Sequence, residues 1–130
     1  MPYSLHDMVV NRIAYKNESV YLEFENGFES AEGDCTQADG KLVVENVDMD
    51  SSYALLLSKL GGYGGFDGVK MPLDDFIGQY GKCRFEIIDE LYGFEQAEYI
   101  GYLHLPEDGG LMQTSLLLYF NGDVVYDTEK

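Results

Sequence analysis

The side chains best suited to nucleophilic catalysis are two cysteines, Cys35 and Cys83, and two histidines, His6 and His104. A cysteine nucleophile needs a low pKa and a neighbouring base. Nothing in the spacing of these four residues indicates that a thiol and an imidazole meet. We therefore predict inert thiols, no catalytic residue and a protein that is not an enzyme.

Two further segments are candidates for a metal site and for a cofactor site. Residues 48–52 begin like a calcium loop, but such a loop requires Gly at its sixth and Glu at its twelfth position. The chain has Tyr53 and Lys59 there. Residues 61–70 are glycine-rich but match neither a Walker loop nor the dinucleotide fingerprint. We expect no metal ion and no cofactor.

The glycine-rich segment 61–68 carries two aromatic side chains, Tyr63 and Phe66. A mobile surface loop is one interpretation of this composition. The alternative is a lid in which both aromatic rings close over a small pocket. That alternative predicts a small-ligand or cation-binding domain.

The charge of the chain is strongly negative, with 24 Asp and Glu against 8 Lys and Arg and a formal net charge of −16. Residues 18–50 and residues 85–130 each hold ten acids and one base, a net charge of −9 apiece. Such a surface repels the phosphate backbone of nucleic acids. It suits either solubility or the docking of a basic protein.

A contact surface for that basic partner is predicted in the stretch 92–102, where aromatic residues surround two carboxylates. Tyrosine and phenylalanine are enriched in protein interfaces. The predicted partner-binding residues are Tyr92, Phe94, Glu95, Glu98, Tyr99 and Tyr102.

Short alternating apolar runs, separated by turn dipeptides, must position these residues. Asn26-Gly27, Asp39-Gly40 and Asn121-Gly122 favour two-residue hairpin turns. Alternation with a period of two predicts half-buried strands. We place strands near 8–15, 19–26, 28–34, 41–47, 53–58, 83–89, 97–105, 111–120 and 123–128.

One segment has the periodicity of a helix. Leu73, Phe76, Ile77 and Tyr80 follow the i, i+3, i+4, i+7 pattern. Pro72 suits the helix start and Gly81 its end. The sequence predicts a two-turn helix near 73–80 that lies on the sheet.

The fold class that follows is mainly β, with α+β as the alternative. We expect one domain over residues 1–130, built as an antiparallel sandwich or a strongly curved sheet of about eight to nine strands. The apolar runs are too short for a membrane span, and the N-terminus does not look like a signal peptide. We therefore expect a cytoplasmic protein; the oligomeric state stays open.

The opening of the chain resembles that of many small bacterial β-rich proteins. The residues concerned are Ser4-Leu5-His6-Asp7, an apolar strand, and the hairpin start at Val20–Gly27. Some of those proteins are of immunity-protein type and neutralise toxins of interbacterial competition. The resemblance implies a cytosolic protein-binding domain, often acidic because the toxin is often basic.

These observations predict a non-enzymatic cytosolic binding protein with an acidic surface, and its specific form is an immunity-type inhibitor of a basic protein. The alternative is the small-ligand or cation-binding domain with residues 61–68 as its lid.

Overall fold

The computed structural model of the protein describes residues 3–25, 28–30, 37–38, 40–59, 68–106 and 110–128. It contains one short helix, α1 (Leu73–Tyr80), and otherwise strands. The strands are β1 Tyr3–Ser4, β2 Val9–Lys16, β3 Ser19–Phe24, β4 Phe28–Ser30, β5 Gln37–Ala38, β6 Gly40–Val44, β7 Tyr53–Lys59, β8 Val69–Pro72, β9 Phe85–Gly93, β10 Gln96–His104, β11 Leu111–Tyr119 and β12 Val124–Thr128.

Nine of the strands form a single antiparallel sheet in the order β12-β6-β3-β2-β9-β10-β11-β7-β8. The remaining three form a small sheet in the order β1-β4-β5. The mainly β class and the single short helix are thereby confirmed. The large sheet is open, because β12 and β8 occupy its two edges and do not pair with each other.

Strong curvature of the sheet follows from the connection between β11 and β12. These strands occupy the seventh and the first place in the sheet, yet only residues 120–123 join them. A bridge between Val47 and Phe120 ties the end of β11 to the chain that follows β6. The sheet therefore curls until its two halves face each other across one core.

The core fills the concave side of this sheet. Its fully buried side chains come from both halves and from α1, and they include Leu22, Leu42, Phe76, Phe85 and Tyr99. Alternation along each strand places one residue in two on this side. The period-two pattern in the sequence therefore identified the core positions of most strands.

Helix α1 spans residues 73–80, as the sequence predicts. Its Leu73, Phe76 and Tyr80 side chains are buried. Gly81 ends the helix with an ordinary negative φ of −62°. Glycine is needed at this position because strand β2 lies close to it. A Cβ at residue 81 would lie 2.7 Å from the Ile13 carbonyl oxygen.

A β-bulge in β9 controls which side chains enter the core. Gly101 pairs with Ile87 and Ile100 pairs with Asp89, so Ile88 is an extra residue on β9. The alternation changes phase at that point. Glu90 and Tyr92 consequently face the concave side, while Asp89 and Leu91 face outward and are exposed.

Several strand predictions are corrected by the structure. The predicted strand 83–89 runs from 85 to 93, because the bulge breaks the alternation that marked its end. Strands β1, β5 and β8 were missed, since two to four residues give too short a pattern. Of the predicted strand 28–34, residues 28–30 are confirmed and 31–34 lie outside the described residues.

The hairpin prediction for Asn121-Gly122 is wrong, because β11 and β12 are not neighbours in the sheet. The Asn121 N–H instead donates to the Asn46 carbonyl at 3.0 Å, which fixes the connection to another turn. The predicted turns at Asn26-Gly27 and at Asp39 lie outside the described residues.

Two glycine-to-alanine variants test whether close approach at Gly101 sustains the bulge. A Cβ at Gly101 would lie 1.9 Å from the Glu86 carbonyl oxygen, so Gly101→Ala must displace backbone. We expect the free energy of unfolding to fall by at least about 2 kcal/mol. Gly78→Ala is the control, because among the described residues no atom beyond its chain neighbours and the helix backbone would lie within 4 Å of the new Cβ.

In the control, alanine replaces glycine inside a helix and should raise the free energy of unfolding by up to about 1 kcal/mol. Urea denaturation of both variants measures the difference. Equal stability of the two variants would contradict the close-approach account of the bulge.

Candidate functional site

Four chain connections meet at one end of the large sheet. They are the β2–β3 turn, the β6–β7 connection, the β9–β10 turn and the β11–β12 connection. Backbone hydrogen bonds link them in pairs: Val47 N–H to Glu18 O at 2.9 Å, Asp48 N–H to Tyr119 O at 2.7 Å, and Phe120 N–H to Glu95 O at 3.1 Å. Each connection is therefore held by a neighbouring connection or strand end.

These connections enclose a cleft of about 530 Å³, which we call the turn-end cleft. Its wall combines three aromatic rings with three carboxylates and two amides. The lining residues are Tyr15, Glu18, Asn46, Val47, Asp48, Glu95, Tyr119, Phe120 and Asn121.

All charged residues in this lining are acidic. Glu18, Asp48 and Glu95 belong to three different connections, and none of the described lining residues is Lys, Arg or His. The Asp48 carboxylate accepts hydrogen bonds from Asp50 N–H at 3.1 Å and from Ser51 Oγ at 3.0 Å. Among the described residues, Glu18 and Glu95 form no ion pair. The cleft therefore attracts cationic groups.

The turns around the cleft contain residues with left-handed backbone conformation. Positive φ occurs at Asn17 (52°), Glu18 (66°), Asn46 (52°) and Glu95 (54°). Asparagine tolerates this conformation, but for glutamate it costs about 1–2 kcal/mol. A glycine at Glu18 or Glu95 would fit the backbone better. The chain instead presents a carboxylate at both positions.

The β9–β10 turn carries the most exposed large apolar side chain that the structure describes. Phe94 is 90% exposed and immediately precedes Glu95 of the cleft. Leu91, on the outward side of the same hairpin, is 50% exposed and pairs with Glu98 across the strands. We call Leu91, Phe94, Glu95 and Glu98 the hairpin tip.

The six predicted partner-binding residues do not share one surface. Phe94 and Glu95 lie at the turn, and Glu98 and Tyr102 lie half-buried on the outward face of β10. Tyr92 and Tyr99 point into the core, and Tyr99 is fully buried. The sheet therefore separates Tyr92 and Tyr99 from the residues at the turn and on the outward face of β10.

Tyr92 and Tyr99 belong to an internal polar cluster with Glu90 and Tyr126. The Tyr92 hydroxyl donates to Glu90 Oε1 at 2.7 Å, and the Leu5 N–H donates to Glu90 Oε2 at 2.6 Å. The rings of Tyr92 and Tyr99 meet edge to face, with centroids 5.9 Å apart. The cluster links β9 and β10 to the N-terminal segment and to β12.

Ionisation of these phenols is opposed by their surroundings. Burial raises the pKa of Tyr92, Tyr99 and Tyr126 above the ordinary tyrosine value, and the negative charge of Glu90 adds to the effect for all three. The three hydroxyls therefore stay protonated in the folded protein at neutral pH. Their role in this arrangement is structural.

Of the cysteines and histidines considered for catalysis, those in the described part of the chain occupy separate places. On β10, the His104 backbone N–H donates to the Arg84 carbonyl oxygen at 2.9 Å. Cys83 packs against the core. His6 Nδ1 lies 3.1 Å from Asp7 Oδ2 in an exposed turn, because a φ of 65° at Asp7 brings the neighbours together. Cys35 and the lid residues Tyr63 and Phe66 lie outside the described residues.

Within the ranges that the structure describes, no three His, Cys, Asp or Glu side chains are placed to hold a metal ion. The same ranges contain no helix that is long and apolar enough to span a membrane.

Comparisons with known proteins found no match to any family model. No match was found among curated proteins. No solved structure matched either.

Sequence reasoning missed Glu18 and Asp48 as members of the site. They lie far from Glu95 in the chain and come near it only because the sheet curls. The one available signal was the pair Asn17-Glu18 between two alternating runs, which marks a hairpin turn.

Alkaline unfolding tests the internal cluster. Above about pH 10 the unfolded chain ionises its tyrosines, whereas the raised pKa values of Tyr92, Tyr99 and Tyr126 keep these phenols protonated in the folded protein. Their stabilising contribution is complete below about pH 10 and is lost as the pH rises further. Tyr92→Phe should therefore flatten the decline of unfolding free energy above about pH 10.

At about pH 8, where all phenols are protonated, the same variant loses the hydrogen bond to Glu90 and should be about 1–2 kcal/mol less stable. Urea titrations across this pH range provide the measurement. An unchanged alkaline slope in Tyr92→Phe would contradict the assignment.

Proposed function

We propose that this protein is a non-enzymatic binding module that engages a basic protein through the turn-end cleft and the hairpin tip. The observation that carries the proposal is the 90% exposure of Phe94 beside the acidic cleft. Exposed apolar side chains at the rim of a charged depression are typical of protein interfaces.

The aromatic side chain supplies the apolar part of such an interface. Burying a phenylalanine that is free in solution contributes about 1.5–3 kcal/mol. The neighbouring Leu91, also 50% exposed, adds to the area that a partner removes from water. Aromatic anchors of this kind account for much of the binding energy in measured interfaces.

The carboxylates supply the preference for a basic partner. Glu18, Asp48 and Glu95 surround the cleft, and the whole chain has a net charge of −16. A field of this sign accelerates the approach of a basic protein and repels nucleic acids and anionic membranes. The positive φ angles of Glu18 and Glu95 favour the same conclusion. A turn selected for stability alone would have glycine at these two positions.

An immunity-type inhibitor of a basic toxin is the specific form that we propose. The resemblance of residues 4–7 and 20–27 to the opening of bacterial β-rich proteins supports it, together with the acidic surface. A cytoplasmic location belongs to the same proposal.

Affinity capture from a lysate of the source cell tests the proposed function. The baits are the wild type, a turn-end variant (Glu18→Gln, Asp48→Asn, Glu95→Gln) and a control variant with the same charge change on outward strand positions (Glu23→Gln, Glu86→Gln, Asp127→Asn). We expect wild type and control to retain one basic protein to high salt, because only the turn-end variant loses the acidic cleft.

Mass spectrometry identifies what each bait retains along the salt gradient. Retention of the same basic protein by all three baits to equal salt would exclude the turn-end cleft as the binding site. Retention of no basic protein by the wild type would count against the function itself.

Substitution of Glu95 separates binding from stability. Glu95→Gly removes both the charge and the cost of a positive φ, so we expect about 1 kcal/mol more stability and weaker partner binding. Glu95→Gln removes the charge but keeps the backbone cost, so only binding should weaken. Thermal unfolding and the capture experiment measure the two effects. A glycine variant that gains no stability would refute the backbone cost at this position.

A further inference from the structure

The outward face of β9, β10, β11 and β7 carries five apolar side chains, with two acids and one serine among them. Strand register places Leu91, Glu98, Leu117 and Tyr53 in one row across the four strands. The next row contains Asp89, Ile100, Ser115 and Leu55. We call these two rows the outer face.

The apolar side chains of the outer face are accessible to solvent. Leu91 is exposed, and Tyr53, Leu55, Ile100 and Leu117 are half-buried. Helix α1 packs on the opposite, concave side, where its apolar residues join the core. No other described element covers these rows. Apolar side chains that are grouped on a solvent-accessible sheet face and rimmed by polar residues are typical of interaction sites.

Charge is distributed unevenly around this apolar centre. The acids Asp89 and Glu98 lie on the β9–β10 side, and the Glu98 carboxylate is held by Ser115 Oγ at 3.2 Å. On the opposite side, Lys70 of β8 pairs with Leu55, and its Nζ lies 4.3 Å from the ring centroid of Tyr53. An occupant with basic residues over β9 and β10 is complementary to this pattern.

We infer that the outer face binds the same basic partner. The partner would place aliphatic side chains against the apolar residues of the outer face, and lysines or arginines beside those side chains would face the acids. This inference rests on the proposed function, since it extends the turn-end contact through Leu91 and Glu98 of the hairpin tip. The net charge of −16 opposes a second copy of the chain as the occupant. It opposes an anionic membrane in the same way.

The probe for this inference is a labelled synthetic peptide in which leucine and lysine alternate. The control peptide has serine in place of every leucine and therefore keeps the charge without the apolar side chains. Fluorescence anisotropy measures their affinities for the wild type and for an outer-face variant, Leu55→Thr with Leu117→Thr, which leaves the hairpin tip unchanged. The matched control, Val43→Thr with Val125→Ser, alters two paired outward valines on β6 and β12.

We expect the outer-face variant to bind the leucine–lysine peptide about tenfold more weakly, because two apolar contacts are lost. The control should bind like the wild type, and the serine–lysine peptide should be insensitive to the outer-face variant. Leu91→Ser alone, at a position that is 50% exposed and does not support the core, should weaken binding in the same direction.

Equal affinity of the outer-face and control variants would overturn the inference, as would equal binding of the two peptides by the wild type. Sedimentation of the free protein adds a third outcome. A wild-type dimer that becomes monomeric in the outer-face variant would make a second copy the occupant and overturn the choice of a basic partner.

The turn-end variant in the same titration separates the two proposals. If it alone weakens peptide binding, the outer face is excluded and the proposed function stands. If the outer-face variant alone weakens binding, the inference stands and the turn-end cleft is excluded from the proposed function.

Discussion

The close contact between Gly101 and the backbone of β9 is the constraint on which the rest of the structure depends. The missing side chain at Gly101 lets the Glu86 carbonyl occupy space that any other residue would fill. That contact permits the bulge at Ile88, and the bulge changes which side chains of β9 face the core. The residues of β9 that follow the bulge, including those of the hairpin tip, therefore alternate between the two sides of the sheet in the reversed order.

The consequences differ on the two sides of the sheet. On the concave side, the Glu90 carboxylate accepts hydrogen bonds from the Leu5 N–H of the N-terminal segment and from the Tyr92 hydroxyl. On the outward side, Leu91 and Asp89 become exposed and continue toward Phe94 at the turn. One bulge therefore supplies both an internal polar cluster and an exposed apolar hairpin beside the acidic cleft.

The sequence alone predicted the elements with uninterrupted periodicity and failed where the pattern broke. Helix 73–80 and strands whose apolar residues alternate in the sequence, such as β3, follow directly from the residues. The extension of β9 could not be predicted, because the bulge reverses the alternation that identifies a strand.

Contacts between segments that are distant in the chain were the second feature that the sequence could not predict. The Asn121-Gly122 dipeptide predicts a hairpin locally, yet the curl of the sheet makes it a connection between distant strands. The same curl brings Glu18 and Asp48 to Glu95, which no local pattern indicates. Composition suggested all six residues of the predicted contact surface, but it could not show that Tyr92 and Tyr99 face the concave side while Phe94 and Glu95 lie at the turn.

The central claim is that the hairpin tip contacts a basic protein in the cell, and site-specific photo-crosslinking tests it most directly. A photoreactive phenylalanine analogue replaces Phe94 in one strain and Val125, which is 37% exposed on β12, in another. We predict a cross-link from position 94 to one basic protein, with none to that protein from position 125. The absence of any cross-link at 94, or the same products from both positions, would contradict the account.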